Sequence, residues 1–95
     1  TRLQSQVCDT QVIVVRTSHA LDDLRAGGAP MIALDATADA GLRLDDDFAG
    51  GTLMGKRYVD ADGSEILVTK AGKGTLSIGS TPLQVKEAKP LPASD

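Results

Sequence analysis

Few side chains in this chain of 95 residues are equipped for chemistry, and their neighbours decide what each can do. Cys8 is the single thiol. To act as a nucleophile or redox centre it needs a thiolate favoured by a nearby cation or helix N-terminus. Asp9 beside it works the other way, which favours a buried structural thiol. His19, the single histidine, lies in Thr17-Ser18-His19-Ala20 with Asp22 and Asp23 close behind. A Ser–His–Asp relay needs the hydroxyl on one ring nitrogen and the carboxylate on the other, a geometry that near neighbours in sequence rarely reach. The reading is a loop or helix-cap histidine. The run Asp60-Ala61-Asp62-Gly63-Ser64-Glu65 alternates carboxylates as a calcium loop does. It lacks the third ligand before the glycine, and Thr69 and Lys70 stand where the bidentate Glu belongs, so it reads as a hairpin turn. In Ala71-Gly72-Lys73-Gly74-Thr75 a glycine replaces the magnesium-binding hydroxyl of a phosphate loop, and a strand pattern follows where a helix should. It too is a turn.

The remaining concentration of function-bearing groups is acidic. Asp45, Asp46 and Asp47 precede Phe48, the single Phe, and Leu42 and Leu44 lie just before them. A charge run by itself is a solvated face. An aromatic rimmed by charge is also the pattern of an interface anchor, a large apolar group in a pocket surrounded by polar contacts. Leu42, Leu44, Asp45, Asp46, Asp47 and Phe48 are therefore the candidate partner-binding residues, with the alternative that Phe48 plugs the chain's own core.

The elements that must position these groups are short. Gln11-Val12-Ile13-Val14-Val15-Arg16 is an apolar β-branched run suited to a covered strand, and Met31-Ile32-Ala33-Leu34 is a shorter one. Between them Ser18 caps one helical turn through Ala20 to Leu24, which Gly27-Gly28 and Pro30 prevent from growing. Residues 35–51 form an acidic loop or arm, poor in apolar surface to offset its ordering entropy, and expected to order on a partner. Thr52 to Asp60, Ser64 to Lys70, Thr75 to Ile78 and Leu83 to Glu87 are expected strands of an antiparallel β-meander, with Gly-bearing separators at each turn. Leu76 and Ile78 alternate with polar residues and should face one core. The tail 88–95, with Pro90 and Pro92, reads as extended.

The first third has a recognisable layout. Ser5 and Cys8 precede the strand Gln11 to Arg16, and Leu24-Arg25-Ala26-Gly27-Gly28-Ala29-Pro30-Met31 follows it. This resembles the desulforedoxin-like and rubredoxin-type metal ribbons, in which a C-x-x-C knuckle precedes a strand and adjacent cysteines sit in a Gly-Pro-Met turn. The resemblance spans Ser5 to Met31. It implies ligand positions at Ser5, Cys8, Ala26 and Gly27, of which Cys8 alone is a ligand type, so it implies a scaffold that has lost its metal.

Composition narrows the rest. Aromatics are 2% of the chain, and the hydrophobic 41% is therefore mainly aliphatic. A chain this small buries only about 60–65% of its unfolded surface. One cysteine cannot close an internal disulfide, so a partner is the expected source of added stability. The net charge of −3 argues against binding a phosphate backbone, hence no nucleic acid. No apolar run is long enough for a membrane span, and Thr1-Arg2-Leu3-Gln4 lacks the regions of a signal peptide, so the expectation is a cytoplasmic protein without membrane contact. The fold expected is a single mostly β domain: a small degenerate ribbon-like unit over 1–34, the acidic arm over 35–51, an antiparallel meander over 52–87 and the tail. The function expected is that of a small accessory subunit, not an enzyme and without cofactor, which binds a larger bacterial enzyme subunit or forms a homo-oligomer. The alternatives are a small ligand-binding or carrier module, or a redox protein that completes a metal site with a partner.

Overall fold

The computed structural model describes residues 2–86, so Glu87 and the proline-bearing tail lie outside the described residues. The chain is mostly β, as the sequence leads one to expect. Its strands are β1 (Arg2–Gln4), β2 (Gln11–Arg16), β3 (Leu24–Ala26), β4 (Ala29–Pro30), β5 (Ile32–Ala33), β6 (Arg57–Val59), β7 (Glu65–Lys70), β8 (Leu76–Ile78), β9 (Thr81–Pro82) and β10 (Gln84–Val85). Every pairing is antiparallel. A six-stranded sheet runs β10-β6-β7-β2-β1-β5, and a four-stranded sheet runs β4-β3-β8-β9.

Of the hairpins expected in the second half, β6–β7 forms, whereas β7 and β8 fall in different sheets, β8 pairs with Thr81–Pro82 from the expected turn, and β10 pairs with β6. Tyr58 lies opposite Ile66 across β6 and β7, while Ser77 lies opposite Pro82 across β8 and β9. The Ala71–Gly74 connection carries the chain from one sheet to the other, and β7 and β8 take their outer partners, β2 and β3, from the first half. The physical reason is the aliphatic pattern. Val12, Ile66 and Val68 line the inner face of the large sheet and Leu24, Ala26 and Leu76 that of the small one, so stacking the sheets buries both sets in one core with Tyr58. Leu3, Val14, Leu21, Met31, Ile78, Leu83 and Val85 pack at its margin. Leu76 and Ile78 do face that core, Leu76 fully and Ile78 in part. Ser77 between them is also buried, with its hydroxyl donating to the Gly79 carbonyl at 3.0 Å.

Local chemistry explains the ends of the strands. Ser18 caps the 3-10 turn His19–Asp23 by accepting from the Ala20 N–H, as its sequence position suggested. Asp60 Oδ1 accepts from the Asp62 and Ser64 amides, and Gly63 adopts φ 89°, which makes the acidic run the β6–β7 hairpin turn. The strand expected from Thr52 is shorter than its pattern. Only Arg57–Val59 pairs, because Lys56 N donates to Leu53 O and Gly55, at φ 80°, donates to Val68 O, which curls residues 53–56 into a turn. Strands β1, β3, β4 and β9 had no readable signal, being two or three residues long.

Candidate functional site

Two glycine-bearing turns close on the turn that carries Cys8. The β1–β2 connection, residues 5–10, is closed by the Ser5 N–H to the Thr10 carbonyl at 2.9 Å. Inside it, Ser5 Oγ accepts from the amides of Val7 and Cys8, each at 3.1 Å. Gly27 and Gly28, at φ 66° and 86°, make the β3–β4 turn. Gly72 and Gly74 lie in the crossover between the sheets. A Cβ on Gly72 would stand 2.5 Å from both the amide nitrogen and Oγ1 of Thr10, and one on Gly74 would stand 2.6 Å from the Gly27 nitrogen and 3.0 Å from Cys8 Sγ. Only glycine allows these approaches.

The thiol sits among hydroxyls. Cys8 Sγ is 3.2 Å from Ser5 Oγ and 3.2 Å from Thr10 Oγ1, and it accepts from the Gly74 N–H at 3.4 Å. Thr10, fully buried, passes the network on to Thr52 at 3.4 Å, and Thr52 Oγ1 accepts from the Gly72 N–H at 3.1 Å. Burial pushes the Cys8 thiol up, but hydrogen bonds from the Ser5 and Thr10 side chains and from the Thr10 and Gly74 backbone together outweigh it. The net effect is a pKa below the ordinary 9.0. Cys8 is half-buried rather than enclosed, so the expected inert core thiol is replaced by a hydrogen-bonded one at the surface. The roles of Thr10 and Thr52 had no sequence signal beyond the glycines that approach them.

The cluster does not fit a metal. Of the positions implied by the ribbon resemblance, Ser5 and Cys8 share the first turn, but Ala26 is fully buried in the core and Gly27 has no side chain. One thiolate and one hydroxyl fall short of the donor set that holds iron or zinc. Among the described residues there is no group of three or more His, Cys, Asp or Glu that could hold a metal ion, and no buried side-chain oxygen or nitrogen lacks a partner. His19 stays apart from the cysteine, in its 3-10 turn.

The acidic arm has more structure of its own than its composition suggests. Leu44 and Phe48 are half-buried, Leu42 is 37% exposed, and Asp45, Asp46 and Asp47 are exposed. Asp45 N donates to Gly27 O at 2.9 Å, Thr75 N to Phe48 O at 2.7 Å, and Gly50 N to Thr75 Oγ1 at 2.8 Å. Asp45 caps the 3-10 turn Asp46–Phe48 through Oδ1. The cause is again the glycine pair. Leu44 occupies the space a Cβ on Gly27 would take, and Asp45 the space beside Gly28. Residues 44–51 are thus seated on the small sheet, whereas 35–43 touch the body through few bonds, among them Asp39 N to Gln6 Oε1 at 3.0 Å. Beyond the arm, Leu53 and Met54 project from their turn, 58% and 70% exposed.

Comparison of the chain with protein-family models, with curated proteins and with solved structures finds no match. No helix among the described residues is long and apolar enough to cross a membrane.

Proposed function

We propose that this chain is a non-catalytic accessory module that binds and stabilises a larger protein subunit, with the stretch from Leu42 to Met54 as its contact segment. The observation that supports this reading is the exposure of Leu53 and Met54, continuous in sequence with Leu42 and the three aspartates. Apolar side chains left in water beside a charged rim are the makings of an interface. Methionine, unbranched and polarisable, adapts to irregular partner surfaces. The seating of residues 44–51 on the small sheet supports the same reading, since a pre-ordered segment loses less entropy on binding. The ribbon reading belongs with it: the Ser5–Thr10 and Gly27–Gly28 turns act as a scaffold without metal chemistry, holding the arm in place of a cluster. The partner is a larger bacterial enzyme subunit.

Purification of the untagged chain from its native cytoplasm tests the proposal. The expected result is a larger protein in constant stoichiometry, lost on replacing Leu53 and Met54 by serine while the thermal midpoint of the free chain is unchanged. A chain that elutes alone, or a partner held equally well by the double variant, overturns it.

A further inference from the structure

The outer face of the six-stranded sheet carries a cleft that the acidic arm does not enter. It encloses about 340 Å³ where β1, β2 and the end of β7 meet. Register explains its lining. Arg2 is paired with Ile13 and Gln11 with Lys70, and the pairing of Leu3 with Ala33 sets Leu34 beside Arg2. Alternation places Leu3 and Val12 inward on the core, so Arg2, Gln11, Ile13, Lys70 and Leu34 share the outward side. The ladder slips between Gln11 and Val12, where Thr69 is the additional residue, and its hydroxyl donates to the Gln11 carbonyl at 3.2 Å. Such a bulge re-aims side chains at the margin of a site.

The chemistry of this lining is of one kind. Two cations, Arg2 and Lys70, line the cleft together with apolar Val12, Ile13 and Leu34 and the polar Gln11 and Thr69. Among the described residues the carboxylates pair with Arg25, Arg57 and Lys86, and none is within ion-pair distance of Arg2 or Lys70. On a chain of net charge −3, two such cations at one cleft are a local reversal of sign. A pocket of apolar walls with a few convergent polar groups is the ordinary form of a small-molecule site.

We propose that this cleft binds an organic monocarboxylate, with the carboxylate between Arg2 and Lys70 and its hydrocarbon on Ile13 and Leu34. Arg2 offers a planar fork of donors that matches a carboxylate, and Lys70 a point charge. At roughly 30 Å³ for each water displaced, the volume accommodates a ligand of about ten non-hydrogen atoms. Octanoate is of that size. The proposal is independent of the Leu42–Met54 contact segment and stands or falls without it.

Amide chemical-shift titration of the full chain with sodium octanoate is the test, with octanamide and inorganic phosphate as companion probes. Saturable shifts are expected at Gln11, Ile13, Leu34, Thr69 and Lys70, with octanamide weaker by about tenfold because it lacks the charge. Arg2→Gln and Lys70→Gln should each weaken octanoate binding by about tenfold, and Leu34→Ala by about threefold, since a half-exposed leucine contributes less than a charged hydrogen bond. All three positions are at the surface, so unchanged thermal midpoints will separate loss of binding from loss of fold. Shifts that never saturate, octanamide that binds as tightly as octanoate, or phosphate that displaces octanoate at equal concentration would each overturn the assignment.

Discussion

Glu65 lies almost fully buried, with Lys86 Nζ at 2.9 Å from one carboxylate oxygen and Arg57 Nη1 at 3.1 Å from the other. The Lys86 hydrogen bond holds its pKa below the ordinary 4.5; burial opposes this, but the charges of Lys86 and Arg57 reinforce it. A carboxyl whose pKa is lower folded than unfolded binds fewer protons in the native state. Its contribution is therefore full above 4.5 and is lost as pH falls through the lower folded value. Urea midpoints measured down the acid range should decline for the native chain, and decline less steeply for Glu65→Gln, which has no carboxyl to protonate. The shift of Cys8, also downward, reads out in reactivity. Its alkylation rate should reach half-maximum below pH 9.0, and Thr10→Val, which removes one hydroxyl, should move that midpoint upward. The sequence pointed to Cys8 but weighed Asp9 as its determining neighbour. The groups that set its chemistry are Ser5, Thr10 and Gly74, two of them close in the chain and the third, 66 positions along from the thiol, brought in by the crossover.

At the scale of elements, turns govern more than strands do. Gly72→Ala places a methyl 2.5 Å from Thr10 backbone and side chain, a backbone contact that cannot be relieved by rotating a side chain. Overpacking of this kind costs about 1–3 kcal/mol, and chemical denaturation should show that loss together with disturbed Thr10 and Thr52 amides. Gly63→Ala meets no atom within 4 Å, yet its φ of 89° strains any side chain, so a smaller loss is expected there. The same contrast marks what could be read from sequence. Strands β2, β7 and β8 were legible because β-branched or alternating residues announce them, and the Asp60–Gly63 turn because its residue types permit little else. The stretch 52–56 misled because Thr-Leu-Met is compatible with a strand, while Gly55 turns it. Residues 44–51 misled in the other direction. Their composition lacks apolar surface, but Gly27 elsewhere in the chain leaves a seat for Leu44 and Gly28 one for Asp45, which no local pattern records.

For the molecule as a whole, stability resides where the two sheets meet. Ile66 is 0% exposed and Leu76 2%, and truncating either to alanine should cost about 2–4 kcal/mol, measured by urea unfolding. Ile78→Ala should cost less, because Ile78 sits at the margin of the core. Against the modest stability of so small a domain, either of the larger losses is enough to populate the unfolded chain. Each sheet draws strands from both halves of the sequence: β2 lies between β1 and β7, and β3 between β4 and β8. The peptide segment that joins the halves, residues 35–43, is exposed throughout and contributes no strand. Scission there divides the polypeptide without dividing the hydrophobic interior. The two pieces should stay together as a non-covalent pair through gel filtration, each unable to fold alone, and should regenerate the native amide spectrum when separated in denaturant and mixed again. Covalent continuity and structural integrity are, in this fold, separable properties.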